Sequence, residues 1–107
     1  MLATFTIDTF RQHVGEDFHI ALGQDRSFCL RLASAEDLRE HPAAGAGTTR
    51  RTPFSLMFHG PAEHFLPQGT HPIRHDTIGE FPLFLVPLGP VPLGPEKGLL
   101  RYEAIFT

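Results

Sequence analysis

Between Arg51 and Pro90, apolar residues recur at every second position in short runs that glycine and proline repeatedly cut. This pattern restricts the stretch to strands joined by turns. Phe54, Leu56 and Phe58 alternate with Ser55, Met57 and His59, the period-2 signature of a strand that buries one face. Gly60-Pro61 ends that run, and further Gly and Pro clusters bracket a segment around His71 to Asp76 and another from Phe81 to Val86. Wound into a helix, such runs would scatter their apolar side chains around the axis instead of lining one face. The stretch therefore predicts three strands of a β-core.

The flanking residues extend the pattern. Ile7, Phe10 and Val14 fall at helical spacing, with Thr6 or Asp8 as cap and Gly15 as the left-handed terminator. They predict one short helix that packs Phe10 and Val14 onto an open end of the sheet. Phe18 to Leu22 and Phe28 to Leu32 alternate on either side of Gly23-Gln-Asp25 and predict a hairpin. Ser34 to Glu40 forms at most a helical turn before Pro42, and His41 to Arg50 is a small-residue loop with nothing to bury. Strand three enters at Pro53, the 70–76 strand carries Pro72 and is predicted either at an edge or to begin after that proline, and Leu99 to Phe106 is the last strand. Pro87-Leu-Gly-Pro90 and Pro92-Leu-Gly-Pro95 form a tandem repeat that reads as a stiff, protruding connection. Ten prolines and ten glycines in 107 residues, with no repeat period, also favour many short strands over a helical bundle. The expected fold is one domain over residues 1–107, mainly β, a small antiparallel barrel or sandwich of about six strands with one N-terminal helix.

A net charge of -3 with a single lysine opposes nucleic-acid binding, which relies on clustered Lys and Arg. No apolar run reaches the ~20 residues of a membrane-spanning helix, and the N-terminus shows no signal-peptide pattern. The chain is expected in the cytoplasm, or in an extracellular assembly exported without a standard signal. Cys29 is the only cysteine, so no internal disulfide forms.

Seven histidines are the one compositional feature with chemical content. His59, His64, His71 and His75 are the metal-ligand candidates. Residues four apart on a regular strand stand ~13 Å from each other, however, and no His-Glu-x-x-His motif occurs, so surface histidines are the expectation. Ser27, Ser34, Ser55 and Cys29 lie in no nucleophile-elbow or cysteine-protease setting. The pairs Glu16-Asp17 and Glu36-Asp37 point apart on a strand or helix. Gly45-Ala-Gly47 does not follow a strand and open a helix as phosphate binding requires. No enzymatic activity and no cofactor is expected. The remaining signal is apolar surface. Phe65, Leu66, Phe84, Val86, Leu88, Val91 and Leu93 supply more hydrophobic material than so short a domain needs, because Phe81 to Val86 is apolar on both faces. Either a partner or the helix near Phe10 covers it.

Val14-Gly15-Glu16, Arg51-Thr-Pro-Phe-Ser-Leu, Leu66-Pro-Gln-Gly-Thr70, Ile78-Gly79-Glu80, Leu83-Phe-Leu-Val-Pro87 and Arg101-Tyr-Glu-Ala-Ile-Phe106 together span nearly the whole chain. In these motifs the chain resembles a family of small bacterial proteins known as a domain of unknown function. That resemblance implies a β-rich fold, contributes no catalytic residues to carry over, and implies a link to proteins similar to phage tail-collar or microcystin-dependent proteins. The expectation is thus a non-catalytic structural or interaction module of a fibre-like or tail-like assembly, binding a protein partner or itself through sheet edges or the Pro-rich apolar surface. The alternative is a small-molecule or metal-binding barrel that uses a Phe-lined interior and histidines.

Overall fold

The computed structural model describes residues 5–23, 26–37 and 53–106. The segment 41–50 and the Arg50-Arg51 pair lie outside them. A short helix, α1 (Ile7–Arg11), precedes six strands: β1 (Asp17–Gly23), β2 (Arg26–Asp37), β3 (Phe54–Gly60), β4 (Gly69–His75), β5 (Gly79–Pro90) and β6 (Leu100–Phe106). All pairings are antiparallel, and the strands close into a barrel in the order β1-β2-β3-β6-β5-β4. The mainly β expectation, with its six strands and one helix, is what the chain adopts. Among the described residues no helix is long and apolar enough to cross a membrane.

Alternation decides which side chains enter. Phe18, Ile20, Leu30, Leu32, Phe54, Leu56, Phe58, Ile73, Leu83, Leu85, Tyr102 and Ala104 all point inward and are buried. The helix plugs one end. Phe10 is fully buried there, its ring centroid 5.4 Å from Phe106, 5.9 Å from Phe54 and 6.0 Å from Phe81. Edge-to-face and tilted contacts of this kind let rings fill a tapering space without a void. Thr6 caps the helix, its N–H donating to Thr9 Oγ1 at 3.1 Å. Val14 does not join Phe10 inside; it is 44% exposed, because α1 ends at Arg11 and the chain turns away before Val14 completes a second helical row.

Gly15 adopts φ +94°, the left-handed conformation expected of it, and its N–H donates to Leu32 O at 2.7 Å. This step carries the chain from the helix directly into register with β2. Four expectations need correction. Ser34 to Asp37 forms no helical turn but continues β2 against β3. The 70–76 strand neither is an edge nor begins after Pro72: β4 starts at Gly69 and pairs with β1 through His19 with Arg74 and Ile20 with Ile73, and these two pairs close the ring. Pro72 is tolerated because it lies just beyond that short pairing. The first Pro-Leu-Gly-Pro unit is no protrusion but the end of β5, where a bulge makes Leu88 the extra residue and Gly89 takes φ +87° before Pro90 pairs with Leu100. Finally, the closed ring leaves no strand unpaired on either side among the described residues, so association by strand addition would require the ring to open.

Candidate functional site

At the helix end of the barrel, three side chains from separate segments meet. His13 follows α1, Glu16 precedes β1 and His75 ends β4. Glu16 Oε1 lies 2.9 Å from His13 Nδ1 and 2.8 Å from His75 Nε2, and the two rings are 4.4 Å apart. His13 and His75 are nearly buried, whereas Glu16 remains half in water. The hydrogen bonds from His75, and secondarily from His13, hold the Glu16 carboxyl below the ordinary carboxylate range. An open cleft of about 430 Å³ adjoins the cluster, lined by Gly15, Glu16, Asp17, His19, His75, Asp76 and Thr77.

Two histidines and a carboxylate within 4.8 Å of one another could hold a divalent metal ion. The second contacts of His75 oppose this. Its Nδ1 accepts the backbone N–H groups of Thr77, at 3.0 Å, and of Ile78, at 3.2 Å. Nδ1 is therefore bare, and Nε2 carries the proton that it donates to Glu16. A metal-bound imidazole has the reverse arrangement, with the bare nitrogen on the ion and the N–H donated away from it. As built, the cluster is a hydrogen-bonded brace that ties helix, β1 and β4 together.

The other histidines singled out in the sequence are not brought to this place. His59 points outward from β3 to Glu96, and burial, together with the charges of Arg31 and Arg101, lowers its pKa. His71 bonds Pro67 O at 2.9 Å, and the His64 carbonyl accepts the Tyr102 hydroxyl at 3.5 Å. Only His75 belongs to the cluster. Cys29 points outward, opposite in phase to buried Leu30, with its Sγ 3.3 Å from His19 Nδ1. Burial and the charge of Asp17 raise its thiol pKa, the reverse of an activated nucleophile.

The apolar surface divides. Leu66 is 3% exposed and belongs to the core, so it is no contact residue; the loop folds it inward where its N–H meets the Tyr102 hydroxyl. Its neighbour Phe65 is 61% exposed. Phe84 on β5 is 51% exposed and Leu93, in the second Pro-Leu-Gly-Pro unit, is 80% exposed, while Val86 and Val91 are half-buried and Leu88 only just exposed. The helix does not cover the outer face of β5, because Phe10 meets Phe81 on the inner one.

No curated protein and no solved structure matches the chain. The profile of one family of domains of unknown function, DUF6916, matches residues 5–106, helix and all six strands included, and the chain belongs to that family.

Proposed function

We propose that this chain is a non-catalytic interaction module that docks on a second copy of itself through the outer face of β4 and β5. The exposure of Phe84 carries the reading. Pro72 and Pro82 stand opposite each other on that face, Thr70 opposite Phe84, and all but half-buried Val86 are exposed. Val86 pairs with Glu103, and two residues further along their strands stand Phe84 and Ile105, the latter 57% exposed. The barrel interior is filled by its own side chains, and among the described residues nothing takes Thr70, Pro72, Pro82 or Phe84 out of solvent. Its rim carries both signs of charge, Arg74 standing opposite Glu80. Two-fold docking of such a patch sets unlike charges against each other. The resemblance to proteins that accompany tail-collar-like proteins extends the reading to a bacterial fibre-like or phage-tail-like assembly with this barrel as a component or partner.

Sedimentation over a wide concentration range tests the reading. The native chain dimerises with concentration, and Phe84→Asp stays monomeric at all of them while keeping its thermal stability within about 0.5 kcal/mol. A native chain that is monomeric throughout sinks it. The second reading, a metal or small-molecule site, is favoured by the grouping of His13, Glu16 and His75 beside the cleft. It requires the His75 ring to give up Thr77 and Ile78. Zinc that raises the melting temperature in the native chain but not in His13→Ala supports it by mass action.

A further inference from the structure

Arg31, His59 and Arg101 stand in one row across three neighbouring strands, since Arg31 pairs with His59 and His59 with Arg101. Their chain neighbours Leu30, Leu32, Phe58 and Tyr102 are buried, so all three point outward. Two guanidinium-bearing residues thus flank one imidazole on the same face of the sheet, and the residue between them, His59, carries no charge of opposite sign. An acid is seated on the row. Glu96, from the connection between β5 and β6, places Oε2 on the Arg31 guanidinium and Oε1 on His59 Nδ1. Arg101 is fixed beside them by donating to Leu88 O at 3.0 Å and Gly89 O at 3.4 Å. Asp17 faces Arg31 from β1, on the side away from His59, and Glu103 lies two residues along β6 from Arg101.

The loop that delivers Glu96 has no need of a charged anchor. Its neck is closed by main-chain bonds, Val91 N–H to Leu99 O at 2.7 Å and Gly98 N–H to Val91 O at 3.0 Å. Further main-chain bonds, Lys97 N–H to Gly94 O and Leu99 N–H to Glu96 O, shape its interior. The Glu96 carboxylate nevertheless spends both oxygens on bases from two different strands, which is how a protein holds a ligand oxyanion.

We propose that Arg31, His59 and Arg101 form an oxyanion-binding site, for a phosphate or carboxylate group, and that Glu96 occupies it as a built-in competitor. An incoming oxyanion takes the Arg31 and His59 contacts, and the Glu96 side chain turns out to solvent while the main-chain bonds keep its loop in place. The site lies on the wall formed by β2, β3 and β6, not on the β4–β5 face, so it stands whether or not the chain dimerises.

Calorimetric titration of the full chain with inorganic phosphate, and separately with succinate, tests it. Glu96→Gln removes the competing charge and is expected to bind at least one of the two anions with a Kd tenfold or more below that of the native chain. Adding Arg31→Ala to Glu96→Gln is expected to abolish that binding. A response to phosphate alone identifies a tetrahedral ligand, and one to succinate alone a carboxylate; both support the site. Equal or absent binding in the native chain and Glu96→Gln overturns it, as does binding that survives Arg31→Ala. Should Glu96→Gln fail to fold, the His59 ring resonances of the native chain decide: a saturable shift with either anion supports the site, and none overturns it.

Discussion

The Tyr102 hydroxyl accepts the backbone N–H of Leu66 at 3.0 Å, in a buried contact between residues thirty-six apart in the chain. It is what allows a loop to lay an apolar side chain inside the barrel without stranding its own main chain. Tyr102→Phe keeps the ring and removes the acceptor, leaving the Leu66 N–H buried and unpaired. The expected loss is about 1–3 kcal/mol, read as a fall in melting temperature of about 4–8 °C per kcal/mol. An unchanged melting temperature would mean that another acceptor reaches this N–H.

Gly15 separates conformational cost from packing cost. A Cβ added there meets nothing within 4 Å, yet φ is +94°. Gly15→Ala is therefore expected to destabilise by about 1–2 kcal/mol through the left-handed backbone alone, and Gly15→Asn by less. Denaturant melts of the two variants check the order.

Acid weakens the brace through Glu16. Its folded pKa lies below its unfolded value because His75 and His13 donate to the carboxylate. The contribution is thus fully present above the unfolded value of ~4.3 and is lost as pH falls through the depressed folded one. Glu16→Gln does not titrate. Melting temperature against pH is expected to fall more steeply for the native chain than for Glu16→Gln on that acid limb; parallel curves would refute the assignment.

Cys29 is exposed but not activated. With its pKa raised by burial and by Asp17, alkylation by iodoacetamide is expected to be slow at neutral pH and still rising at and beyond the ordinary thiol value of ~8.5. A rate that levels off below that value contradicts the shift.

Much of the fold is legible because alternation is local. The burial of Leu30, Phe54, Leu56 and Phe58 follows from period 2, as does the outward Cys29. So does the two-sided character of β5, although only the structure shows that Phe84 stays in solvent. What was not legible depends on distant partners. His75 reaches Glu16 across fifty-nine residues and Glu96 reaches Arg31 across sixty-five, and no spacing rule links positions so far apart. Phe65 and Leu66 show the limit most plainly: two adjacent apolar residues in one loop, of which one is core and the other surface. The Pro-Leu-Gly-Pro repeat misleads for a different reason. The same tetrapeptide serves once as a strand bulge and once as loop, and only the neighbouring β6 decides which.

The ring is joined unevenly. Among the described residues, seven pairs hold β3 to β6, whereas His19 with Arg74 and Ile20 with Ile73 hold β1 to β4. Thermal breathing should part the barrel along that line first, with the amides of those residues exchanging with solvent ahead of the β3 and β6 amides. Each opening briefly turns β4 into a raw margin on which a stray chain could template fibrillar growth. Pro72, two positions from Arg74 and without an N–H to offer, stands on that margin as a gatekeeper.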